Sequence, residues 1–210
     1  AESGLCHFME HMLFKGTGHR SAQDISREIE KVGGSLDAFT TKDTMCVYAH
    51  VLESRRDVAI DLMADMLTGS RFAADQVTLE RNVILEEIGD VEDAPDDLVH
   101  EIFAAELYPA HPLGRPILGS RKTVSSFRQS DIRRYAKRAF RSSNVVVALY
   151  GNIDEDELVE IVQSRFKFAR GPLAREKARL GRPVPRRRHV KRKLNQQPVV
   201  LGRRTFSFMD

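Results

Sequence analysis

His7, Glu10 and His11 stand in the order His-x-x-Glu-His near the start of the chain. Residues four apart on a helix share a face, with Cβ atoms about 6 Å apart, so both imidazoles can reach one ion. With His7 at zero and about 100° per residue, His11 falls at about 40° and Glu10 at about 300°. Leu5, Cys6, Phe8, Met9, Met12 and Leu13 fill the rest of the circumference. A helix that is apolar on every side but one belongs in a core, where polar groups need partners; a metal ion partners all three at once. The competing reading is a polar stripe that merely faces solvent.

A catalytic zinc site uses three protein ligands, so two histidines need a third. Residues 74–91 contain no Pro, and no Gly before Gly89, and read as a helix. Measured from Glu80, Glu87 lies at about −20°, Ile84 at about 40°, Val77 at about 60° and Ile88 at about 80°, whereas Glu86 lies at about −120°. Glu80 and Glu87 therefore project from the apolar face, which is costly for two carboxylates unless something positive meets them. Either can supply the third ligand, and a chance pair of inward glutamates is the alternative.

The elements that must hold these groups follow the hydrophobic pattern. Leu5 to Phe14 is a dense apolar run, and Ser21 to Val32 opens with Ser-x-x-Asp and ends at Gly33-Gly34, a capped amphipathic helix. Ser35 to Thr40 and Thr44 to Val51 alternate as the two strands of an antiparallel hairpin. Helices are expected over Arg55 to Thr68, Ala74 to Val91 and Asp96 to Leu107. Residues 109–120 read as a Pro/Gly loop. Ser126 with Gln129 suggests a helix start for Phe127 to Phe140, Asn144 to Tyr150 a buried strand, and Asp154 with Glu157 a capped helix from Glu155 to Phe166. Pro198 to Phe208 returns to β-like character.

The chain has 210 residues with a hydrophobic fraction of 41%, an ordinary globular composition. Its formal net charge of +3 averages two regions. Residues 1–164 carry 18 basic against 28 acidic residues, whereas residues 165–204 carry 15 basic residues against Glu176 alone. Three regions result: a domain over 1–166, a basic linker over 167–193, and a strand over 194–210. Cys6 and Cys46 are too few for a disulfide framework. The longest apolar run, Val145 to Tyr150, falls far short of the ~20 residues of a membrane span. No leader pattern opens the chain, and the expectation is a soluble protein of the bacterial cytoplasm or periplasm.

HFMEHMLFKGT followed by ERNVILEEIGDVEDAPDDLV resembles the N-terminal catalytic segment of the pitrilysin/insulinase family of zinc peptidases, closest to mitochondrial processing peptidase β-subunits and bacterial processing proteases. The GGSLDAFT turn and strand, HPLGRPILG and NVVVALYGNIDEDELVEIV fit the same resemblance. It implies an α+β fold, an antiparallel-rich mixed sheet with helices packed on one face. It also implies Zn2+ held by His7, His11 and Glu87, with Glu10 as general base and Glu80 as an accessory carboxylate. The strand around Ala38, Phe39 and Thr40 would pair with an extended substrate. The implied activity is endopeptide hydrolysis of unfolded peptides or presequences, with a homologous C-terminal half or a second subunit completing the site. By the same resemblance, the chain starts past the family's first strands and stops before that second half, and Asp37 stands where relatives often have Asn.

Two rivals remain. One is a noncatalytic subunit that binds peptide or partner without cleaving, against which the complete ligand set counts. The other is nucleic-acid binding through Arg186, Arg187, Arg188, Lys191, Arg192 and Lys193; no aromatic residue interleaves them, and a solvated linker is the more economical reading, so no nucleic-acid partner is expected. His19, His50, His100, His111 and His189 lack ligand spacing and are read as structural or surface residues.

Overall fold

The computed structural model describes residues 2–172, 180–182 and 184–205. Ten elements matter here: α1 (Leu5–Leu13), α2 (Ala22–Lys31), β1 (Ser35–Thr40), β2 (Met45–His50), α3 (Arg56–Gly69), α4 (Ala74–Asp93), α5 (Pro95–Leu107), α6 (Arg121–Ser126), α7 (Gln129–Ala139) and α8 (Glu155–Arg165). The architecture is α+β: a two-stranded antiparallel sheet among the described residues, with helices packed against the face that carries Leu36, Val47 and Ala49.

Helix α1 is the hub, packed against α4, α7 and both strands. Its Leu5, Phe8, Met9, Met12 and Leu13 are all buried. The ring of Phe8 meets Phe127 edge-on, with centroids 6.2 Å apart. The stripe of His7, Glu10 and His11 is left partly open, as is the neighbouring Cys6. The helix starts at Gly4, whose φ of 89° is one that L side chains rarely adopt. A Cβ there would stand 2.5 Å from the Leu118 carbonyl oxygen and 2.8 Å from Gly119 Cα. Close backbone contact thus anchors the start of α1 to the Pro/Gly loop.

Helix α2 has the expected capping box: Ser21 accepts from the Asp24 N–H, and the Asp24 carboxylate accepts from Ser21 N at 3.0 Å. In the hairpin, Ser35 faces His50 and Thr40 faces Met45. Leu36, Val47 and Ala49 pack on the core. Behind α1, buried Thr17 donates to Asp65 at 2.7 Å, and Arg20 ties Glu28, Asp61 and Asp65 together. This junction holds the chain leaving α1 against α2 and α3.

Three expectations are corrected. Ser126 ends a helix rather than starting one: Ser120 caps α6, and α7 begins at Gln129, where the Asp131 carboxylate accepts from the Arg128 N–H at 2.9 Å. Phe127, extended and 4% exposed, breaks the two apart because its ring is committed to the core against Phe8. Asn144 to Tyr150 is not a buried strand; Val146 is 90% exposed and Tyr150 fully so. Strand propensity is not realised without a ladder partner, and none runs beside it among the described residues. Residues 198–205 likewise have no regular structure, and 206–210 lie outside the described residues, as do 173–179 and 183 of the basic linker. Among the described residues no helix is long and apolar enough to cross a membrane.

Candidate metal centre

Helix α1 lies against α4, and their facing stripes bring His7, His11 and Glu87 together. One ligand atom from each lies within 4.8 Å of the others. Glu87 Oε1 is 3.6 Å from His11 Nε2, and Glu87 Oε2 is 3.8 Å from His7 Nε2. Both separations exceed a hydrogen bond and approach the roughly 3.3 Å between neighbouring ligand atoms of a tetrahedral ion with bonds near 2.0–2.1 Å. His7 Nδ1 and Glu87 Oε2 are buried and have no hydrogen-bond partner. Two imidazoles and a carboxylate with unmet polar atoms are a donor set that fits zinc.

Burial, and then the neighbouring His11, hold His7 down to about 4, so its imidazole is neutral at pH 7, as a ligand must be. Burial also raises the Glu87 carboxyl, opposed by His11 and reinforced by Glu80, Glu10 and Asp90. A cation in the cluster would relieve that crowding.

Glu80, from the same face of α4, is 5% exposed and lies outside the three-atom cluster. Its Oε2 is 3.1 Å from His11 Nδ1 and its Oε1 2.7 Å from Lys15 Nζ. An ionised carboxylate can only accept, so Nδ1 carries the hydrogen and Nε2 presents its lone pair toward Glu87. The metal-ligand pattern of the sequence does not reach Lys15, although this residue continues the i, i+4 series His7, His11, Lys15, and that spacing is the signal that finds it.

Glu10 accepts a hydrogen bond from the Thr40 hydroxyl, which joins α1 to β1. Ala38 and Thr40 are half-buried, whereas Phe39 points outward, 48% exposed and 6.0 Å from the Tyr48 ring. Strand β1 pairs only with β2 among the described residues. The Ala38 N–H donates to Asp37 Oδ1 at 2.8 Å, and Tyr48 donates to Asp37 Oδ2 at 3.2 Å. Of the histidines set aside, His111 accepts from Leu113 N at 3.2 Å, a local structural bond. In the basic segment, Arg186 pairs with Glu106 at 3.3 Å and Arg192 donates to the Glu92 carbonyl at 2.5 Å.

Residues 1–121 match the family described as insulinase (peptidase family M16). The chain belongs to that family. Residues 126–207 match the description peptidase M16 inactive domain. Similar relatives include a protein of Mycobacterium leprae named as an uncharacterized zinc protease, 41% identical over 209 residues, covering 97% of this chain and 47% of the relative. A zinc protease of Streptomyces coelicolor is 42% identical over 210 residues, covering 96% of this chain and 46% of its own. The chain therefore spans about half the length of these curated relatives. Among solved structures it is similar to a protease from Helicobacter pylori, with a TM-score of 0.77 and 22% identity over 87% of this chain and 44% of that one. It is also similar to the periplasmic protease PqqL from Escherichia coli, with a TM-score of 0.72 and 21% identity over 84% of this chain and 20% of that one. At these identities the likeness carries the fold.

Proposed function

We propose that this insulinase-family chain is the metal-binding part of a zinc endopeptidase that cleaves extended peptides. The observation that carries the reading is the convergence of His7, His11 and Glu87 atoms within 4.8 Å, beside an anchored Glu10. His7, His11 and Glu87 would hold the zinc, which would supply Lewis acidity toward water and a peptide carbonyl. Glu10 accepts the proton of the attacking water and returns it to the leaving amine as the C–N bond breaks. Glu80 fixes the ring and tautomer of His11. Ala38, Phe39 and Thr40 offer the edge of β1 that is unpaired among the described residues to the substrate main chain, which the Ala38 N–H can join once it leaves Asp37.

A homologous second half, on the same chain or another, completes the substrate chamber; the relatives' twofold greater length supports this. The excess of acidic residues over 1–164 favours cationic peptides, as presequences are.

Zinc stoichiometry and peptidase activity of the complete gene product test this reading. One zinc per chain is expected, lost in His11→Ala, and Glu10→Gln should keep the zinc while losing activity. No zinc at micromolar metal sinks the reading. Zinc bound without peptidase activity favours the noncatalytic subunit instead.

A further inference from the structure

Helix α4 brings two carboxylates, one heptad apart, to His11, and only Glu87 also faces His7. Glu87 has a buried Oε2 without a hydrogen-bond partner. Glu80 has both oxygens engaged, Oε1 by Lys15 at 2.7 Å and Oε2 by His11 at 3.1 Å, and its side chain is only 7% exposed. Lys15 follows α1 and reaches Glu80 from the histidines' own side, so a single short segment supplies both of Glu80's partners.

We propose that Lys15 is a positioning residue that decides which glutamate ligates the metal. By holding Oε1 it keeps Glu80 turned so that Oε2 meets His11 Nδ1, and it leaves Glu87 as the carboxylate open to the ion. Without Lys15, the buried Glu80 has one partner for two oxygens and is free to rotate toward the cation. His11 then loses the fixed acceptor that sets its ring. An ammonium suits this role, because it is a point charge that satisfies one oxygen without the bidentate grip an arginine would impose.

The inference rests on the zinc reading above. It is tested by zinc affinity, measured by competition with a chromophoric chelator, in the complete gene product and its Lys15→Met, Glu80→Gln and double variants. Lys15→Met should weaken zinc binding by about ten-fold or more, the scale seen when partners of metal ligands are removed. In the Glu80→Gln background the same change should have no further effect, because Lys15 acts only through Glu80. The double variant leaves no unpaired buried charge, so it remains measurable even if Lys15→Met alone does not fold. Unchanged affinity in folded Lys15→Met, or a further ten-fold loss in the double variant relative to Glu80→Gln, overturns the proposal. If the unsubstituted protein binds no zinc, the fault lies with the zinc reading; if it binds zinc through His11 but is indifferent to Lys15, only the role of Lys15 falls.

Discussion

The hydroxyl of Thr40 on β1 donates to the carboxylate of Glu10 on α1, linking the strand expected to bind substrate to the residue expected to activate water. A hydrogen bond to a charged acceptor is worth about 1.5–3 kcal/mol, or roughly 10- to 100-fold in rate if it is needed to aim Glu10. Thr40→Val should therefore lower kcat by about that factor with little change in KM, and Thr40→Ser should restore most of it. Equal activity in the Val and Ser variants would show that the bond does not orient Glu10.

Acid should weaken the zinc-free protein through His7. Burial first, and then His11, lower its pKa to about 4 from 6.5. Between these values the unfolded chain binds the proton and the folded one does not. Stability is thus fully present above about pH 6.5 and declines toward pH 4, by up to about 3 kcal/mol. Urea titrations at several pH values should show a shallower decline in His7→Gln; identical slopes would remove His7 as the cause.

Gly4→Ala should destabilise the fold by at least about 1–3 kcal/mol, because a side chain is forced onto a left-handed backbone. Its Cβ would also sit 2.5 Å from the Leu118 carbonyl oxygen. Gly18→Ala is the control, since a Cβ there meets nothing within 4 Å. Denaturant midpoints should separate the two clearly.

Phe8→Ala removes a fully buried ring of α1 that packs edge-on against Phe127. A loss of about 3–5 kcal/mol is expected from the cavity and the lost transfer energy. Phe8→Leu should cost clearly less. Thermal or urea unfolding measures both, and near-neutral behaviour of the alanine variant would contradict the place of α1 at the centre of the core.

The sequence by itself determined whatever depends on residues close along the chain. The histidine stripe of α1, the capping box of α2, the β1–β2 hairpin and the inward Glu80 and Glu87 are consequences of helical and strand periodicity and of hydrogen bonds three residues apart. Those rules need no knowledge of neighbouring elements. Tertiary structure decided what depends on partners far away. Phe127 interrupts a helical pattern because Phe8, 119 residues earlier, holds its ring. The apolar segment Asn144 to Tyr150 reads as a strand, but a strand exists only when another chain segment accepts its hydrogen bonds. Periodicity also treats Glu80 and Glu87 as equivalent, being one heptad apart. Only the packing of α1 on α4 distinguishes them, because it sets the Lys15 ammonium against one carboxylate and leaves the other facing two imidazoles.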